Sequence, residues 1–285
     1  MKHLHHSGVV VLENVVDSTH LDAINSVMSL EARGIVKLPD EKFNFGRETG
    51  NINQSPPLKR EFMYPDVWVN PFVLPVVSSM LGPEPVLHLA TGNTTTRAGD
   101  RQPVHSDFGL PHPSFPFGFV VNIPLVDMTL ENGALEVWPG SHTATTVHDQ
   151  VAYQGQWGNL PPRAIVPAVL RSREAISPPA RVVVRKGSVI IRDLRLWHAG
   201  HPNLTNEPRV MLAFVWQALW WKGTAHILLP LNIKDIFDSW EEEGPVKFRV
   251  AAKWVDGEVP RQLHGGEDTD LKSSDPAIFE LFASV

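Results

Sequence analysis

Runs of β-branched and apolar residues, broken by short turn signals, dominate the middle of the chain, and helical patterns are confined to its two ends. Gly8 to Val16 (GVVVLENVV) reads as a strand, after which Asp17, Ser18 and Thr19 offer N-caps for a helix from about Ser18 to Arg33. The stretch from Gly34 to Pro65 is polar and rich in Gly, Pro and Asn, which predicts a long ordered loop and a candidate lid over a site. Asn70-Pro71 opens a second helix that ends near Gly82 and must accommodate Pro75 in its first turns. Strands are then predicted at Val86 to Ala90, Pro103 to Asp107, Phe117 to Val126, Ala134 to Trp138, Arg181 to Arg185, Ser188 to Leu196 and Arg209 to Leu219. Because no helical pattern recurs between them, a mainly β fold of the sandwich or jelly-roll type with flanking helices fits better than alternating βαβ units.

One unit over 1–285 is expected: a helical and loop front end to about 84, a jelly-roll core over about 85–225, and a mixed tail with an amphipathic piece at Lys234 to Trp240. Its 285 residues are 42% hydrophobic and 20% charged, ample for a core. With 25 Lys and Arg against 31 Asp and Glu, no basic surplus points to nucleic acid or an anionic membrane. Cysteine is absent, so disulfides, thiolate metal sites and cysteine nucleophiles are excluded together, and any metal must sit on His, Asp or Glu. No apolar run approaches the roughly 20 residues of a membrane span, and the first residues carry no apolar signal core. The expectation is a cytoplasmic monomer or homodimer that handles a small molecule.

Two His-x-Asp triplets stand out, and backbone geometry separates them. His20-Leu21-Asp22 lies in the first helix, where positions i and i+2 diverge by about 200°, so it reads as a surface pair. His105-Ser106-Asp107 lies in a predicted strand, where i and i+2 share a face and can present an imidazole and a carboxylate to one cation. A distal His198 ends the apolar stretch Val189 to Trp197, and Arg209 follows across a loop rich in Gly, Pro and Asn, so a hairpin would set the two on neighbouring strands. Two His and one Asp on one side of a metal are the facial triad of non-haem Fe(II) oxygenases, with positions left open for co-substrate and O₂. Arg209 adds a two-pronged donor for a carboxylate, so the four residues suggest dependence on 2-oxoglutarate. The competing reading is a hydrogen-bonded His-Asp pair, an unrelated buried His and an ordinary strand-start Arg.

Over most of its length the chain also resembles the phytanoyl-CoA dioxygenase family, in particular its fungal and bacterial small-molecule members. Gly50–Pro57 (GNINQSPP), Gly92-Asn93-Thr94, Gln102–Asp107 (QPVHSD), Asn132–His142 (NGALEVWPGSH) and Trp197–Gly200 (WHAG) followed by Arg209 carry the likeness. It implies a double-stranded β-helix with iron on His105, Asp107 and His198, 2-oxoglutarate anchored by Arg209, and oxidation of a substrate C–H bond, hydroxylation foremost, in secondary metabolism. Asn122 stands where many relatives carry Trp and is a candidate hydrogen-bond donor to 2-oxoglutarate, as are Thr94, Thr95 and Thr96, of which the sequence does not fix the one that faces inward. For substrate, Arg47, Asn51 and Gln54 of the loop suit a polar or acidic group, and Phe117 either lines the pocket or fills the core. The rivals are a jelly-roll binding protein without turnover and a Zn or Mn cupin-like isomerase or hydrolase, and neither needs a buried carboxylate anchor such as Arg209.

Overall fold

A computed structural model describes residues 1–39, 43–151, 164–259 and 271–278. Its centre is a seven-stranded sheet that runs in the order Val9–Leu12, Val189–Asp193, Gly118–Pro124, Met211–Gln217, Val86–Thr95 and Arg249–Val250, with Asn51–Asn53 also paired to Val86–Thr95. All its pairings are antiparallel except that of Arg249–Val250. A three-stranded sheet of His198–Gly200, Leu135–Val137 and Ala180–Val182 is the second layer.

Side-chain alternation explains why these strands carry such long apolar runs. Val189 and Ile191, Phe119 and Ile123, and Leu212, Phe214 and Trp216 project to one face, where they pack with Leu21, Ile24 and Met28 of the Ser18–Ile35 helix and Val77 and Leu81 of the Val73–Leu81 helix. Trp68 is buried there against Phe214 and Phe237, with ring centroids 5.0 and 5.5 Å away. The residues between them in sequence serve the other layer: Ile190 and Met211 join Leu135, Val137 and Leu196 in a second apolar cluster. A sheet covered on both faces reads as nearly continuous hydrophobicity, which is what the sequence displays.

Helices and strands contribute similar lengths, so the architecture is mixed and not mainly β. One reason is the Pro167–Ile176 helix, which lies between strands where no helical pattern was expected; Pro167 occupies its first turn, none of its residues is fully buried, and Val169 and Leu170 alone, partly buried, pack against the cluster around Trp138 and Trp197, too short a stripe to betray it. The Ser18–Ile35 helix begins as expected, with the Asp17 carboxylate accepting from the Thr19 backbone N–H at 2.8 Å. Asn70 likewise accepts from the N–H groups of Phe72 and Val73, although the helix proper starts at Val73. Pro103 to Asp107 is not a strand: only His105 forms isolated bridges, to His198 and to Ala164. Within the stretch predicted as a loop, Asn51–Asn53 forms a strand paired to Val86–Thr95, and Gly50 enters it at φ +64, where an added Cβ would lie 2.5 Å from the Thr96 carbonyl oxygen. The amphipathic tail piece is a helix, Lys234–Glu243.

Three histidines away from the candidate site, His88, His112 and His142, are buried, and burial pushes each below its usual pKa. The unfolded chain therefore binds more protons than the folded one as pH falls below about 6.5, so stability is full above that pH and declines under it. The urea midpoint is expected to be lower at pH 5.5 than at pH 7.5, and an unchanged midpoint would contradict the burial of these rings.

Candidate metal centre

His105 and His198 face each other across an extended bridge in which each backbone N–H donates to the other's carbonyl at 2.9 Å. Their rings lie 4.2 Å apart between centroids. Each is oriented in the same way: His105 Nδ1 is 2.9 Å from the Pro103 carbonyl oxygen and His198 Nδ1 is 3.0 Å from that of Leu196. A carbonyl can only accept, so both Nδ1 atoms carry the proton and both Nε2 lone pairs are left for a metal; the Arg192 Nη1 donor that also approaches His198 Nδ1 is more distant, at 3.5 Å, than the 3.0 Å Leu196 carbonyl. Ser106 turns the opposite way, its single hydroxyl proton shared between the carbonyl oxygens of Phe108 and Leu194 at 3.2 and 3.3 Å, and this leaves Asp107 on the histidine side.

One ligand atom from each of His105, Asp107 and His198 lies within 4.8 Å of the others, close enough to share one cation, and this is the sole such cluster among the described residues. Burial foremost, reinforced by His198, pushes His105 down to about 3, so its ring is neutral at physiological pH. Burial works to raise the pKa of Asp107, but Arg192, His198 and His105 outweigh it and hold the carboxyl well below the usual range. A neutral imidazole and an ionised carboxylate are the protonation states that metal binding requires. The donor set, two nitrogens and one oxygen with no sulfur, suits iron(II).

Arg192 is the residue that the sequence reading did not single out. It lies on the Val189–Asp193 strand, two positions after Ile190 and therefore on the inner face, with its Nη1 2.6 Å from Asp107 Oδ2 and its Nε donating to Asn122 Oδ1 at 2.9 Å. A charged pair, Arg192 and Asp193, ending the apolar run Val189–Ile191 of a fully buried strand was a usable signal. Phe45, from the loop, is the other omission: its ring stands 4.5 Å from that of His105.

The remaining candidates are distributed unevenly. Arg209 is buried at 2% exposure and, among the described residues, donates only to neutral acceptors: the carbonyl oxygens of Asn93 and Gly133 and the Thr95 hydroxyl, at 3.2, 2.9 and 2.7 Å. It does not share a hairpin with His198. The intervening turn crosses between layers, so Arg209 bridges to Thr95 beside the large sheet while His198 lies in the three-stranded one. Asn122 is on the inner face, where its carboxamide oxygen is engaged by Arg192. Of the three threonines, Thr95 touches Arg209, while Thr94 donates to Gln54 and Thr96 to the Gly50 carbonyl. Gln54 is further tied to Met28 and Glu31 of the first long helix, and Asn51 accepts from Thr95 at 3.0 Å, so both brace the scaffold. Arg47 is exposed, donates to the carbonyls of Val36 and Leu38 and covers the ring of Phe43. Phe117 is fully buried among Phe108, His112 and Trp221, which places it in the core and not on a pocket wall. In the other triplet, His20 pairs with Asp66 and stacks on Tyr64, while Asp22 pairs with Lys186.

Comparison with known proteins agrees with this geometry. The family model described as phytanoyl-CoA dioxygenase matches residues 4–211. A protein named Dioxygenase af480, from Aspergillus fumigatus, is 31% identical over 152 residues, which is 52% of this chain and 42% of that protein. Among solved structures, EctD from S. alaskensis, in complex with 2-oxoglutarate and 5-hydroxyectoine, superimposes with a TM-score of 0.58 at 18% identity, over 77% of this chain and 75% of its own. The epimerase SnoN, in complex with Fe³⁺, alpha-ketoglutarate and nogalamycin RO, gives 0.55 at 19% identity, over 76% of this chain and 81% of its own. At these identities the two structures speak for the fold. No helix among the described residues is long and apolar enough to cross a membrane.

Proposed function

The chain belongs to the phytanoyl-CoA dioxygenase family of Fe(II)- and 2-oxoglutarate-dependent oxygenases, and we propose that it oxidises a C–H bond of a small molecule, by hydroxylation. The curated relative is matched over less than half of its length, so this reading of the whole chain rests on its own site. We read the two sheets as a double-stranded β-helix holding iron between them. The observation that carries the proposal is the pairing of a preformed His105–Asp107–His198 cluster with Arg209, a buried cation that no carboxylate of the described residues neutralises.

In this reading His105 and His198 donate through Nε2, since their Nδ1 protons are committed to carbonyls, and Asp107 donates through Oδ1, the oxygen that lies 3.5 Å from His198 Nε2. Bound iron supplies O₂ activation at the expense of the keto acid, which leaves as succinate and CO₂. Arg209 receives the far carboxylate of 2-oxoglutarate, for which its buried guanidinium is better matched than an ammonium would be. The network from Arg209 through the Thr95 hydroxyl to Asn51 fixes the guanidinium against the Asn51–Asn53 strand. Phe45 covers the His105 ring and keeps water from that side of the metal. Substrate enters on the remaining open side, and contacts from Arg47 would require movement of its present bonds to Val36 and Leu38.

The direct test adds Fe(II) and then 2-oxoglutarate to the purified protein without oxygen. A visible charge-transfer band of the chelated keto acid is expected, followed on aeration by succinate release. Absence of both would favour a binding protein or a Zn or Mn enzyme on the same fold.

A further inference from the structure

The two oxygens of Asp107 have different surroundings. Oδ1 looks toward His198 Nε2 at 3.5 Å, whereas Oδ2 is held by Arg192 Nη1 at 2.6 Å. Arg192 is itself fixed: its side chain is 7% exposed, its backbone lies on the second strand of the large sheet and is paired to Val9 of the edge strand on one side and Val120 on the other, and its Nε is bound to Asn122. We propose that Arg192, with Asn122 behind it, is a positioning residue that occupies Oδ2 of Asp107 so that this carboxylate binds metal through Oδ1 alone. The inference rests on the metal-site reading above and extends it to a residue outside the ligand set.

The chemical reason concerns how many positions stay open. An octahedral metal held by three single donor atoms keeps three positions, two for a chelating keto acid and one for O₂. A carboxylate free at both oxygens can close on the metal as a two-toothed ligand and take one of them. A guanidinium on the outer oxygen opposes that closure twice over, through a short charge-assisted hydrogen bond and through its repulsion of the cation if Oδ2 were to swing inward. Arginine suits this task because its planar fork serves Asp107 and Asn122 in one fixed orientation, which lysine cannot reproduce in full.

The experiment compares wild type, Arg192→Met and Arg192→Lys, each loaded anaerobically with Fe(II) and titrated with 2-oxoglutarate, with bound iron measured separately. In Arg192→Met, saturating Fe(II) is expected to fill the site to wild-type stoichiometry, though it is held more weakly, while 2-oxoglutarate affinity of the iron-saturated protein falls at least tenfold and the charge-transfer band shifts or weakens. Arg192→Lys, which keeps the cation beside Oδ2, is expected to bind the keto acid within about threefold of wild type. This split between metal and keto acid is one that a merely structural arginine would not produce. The proposal is overturned if Arg192→Met binds 2-oxoglutarate within twofold of wild type with an unaltered band, if saturating Fe(II) fails to fill its site, or if lysine is no better than methionine. If wild type shows no band, the oxygenase reading fails and not only the role of Arg192.

Discussion

Asp107→Ala is expected to abolish both iron retention and turnover, and also to destabilise the protein, two effects that are usually separate at a metal site. Removal of an outer partner of a ligand typically weakens metal binding by about 10–100-fold, so loss of the ligand itself should cost at least the upper end of that range. Two imidazoles alone cannot compensate, since His105 and His198 already use their available lone pairs. The stability effect follows from Arg192, whose Nη1 would lose its carboxylate while remaining buried. Stranding one member of a fully buried ion pair costs about 3–5 kcal/mol, but Asp107 is 25% exposed and water can reach the gap, so about 1–3 kcal/mol is the expectation. Asp107→Asn separates the two: it still accepts from Arg192, so the stability loss should shrink, while the missing charge still impairs iron binding. Metal analysis and urea unfolding of the iron-free proteins decide the matter, and equal iron in wild type and Asp107→Ala would remove Asp107 from the ligand set.

The ligands were legible because period-two geometry and spacing say which residues can converge, even where the regular element is absent. His105 and Asp107 do share a side, yet through an isolated bridge at His105 and the inward turn of Ser106 instead of a regular strand. Arg192 escaped attention because its partners, Asp107 and Asn122, are 85 and 70 positions away in sequence, and no local pattern encodes such pairing. The same reason hid the scaffold bonds of Gln54 and Asn51, whose polar groups suit a ligand in isolation but meet Glu31, Thr94 and Thr95 once the loop folds back. Thr95 shows how alternation works against a reader without register: among three successive threonines only the register of the Asn51–Asn53 pairing says which one turns toward Arg209. Strand positions and the apolar faces came through well, as they depend on periodicity alone.

Arg209→Ala should leave iron binding close to wild type and raise the concentration of 2-oxoglutarate required by a large factor. The guanidinium is buried, its pKa is drawn down to about 10 by burial alone, and its Nε has no hydrogen-bond partner among the described residues. It remains charged at neutral pH, yet the acceptors around it are carbonyl and hydroxyl oxygens, which offset part of the desolvation cost without neutralising the charge. An incoming carboxylate therefore meets a cation whose charge is uncompensated and whose surroundings are poor in water, conditions in which a charge-assisted pair is strongest. Losing one side of such a pair costs about 2–5 kcal/mol, or roughly 30-fold to several thousand-fold in affinity. Arg209→Lys should fall between the two, since the charge persists but the fork that holds both the Thr95 hydroxyl and a carboxylate does not. The measurement is a titration of the charge-transfer band with 2-oxoglutarate in the three iron-loaded proteins. Unchanged affinity in Arg209→Ala would move the anchor elsewhere, and Arg192 would then be the buried cation to examine.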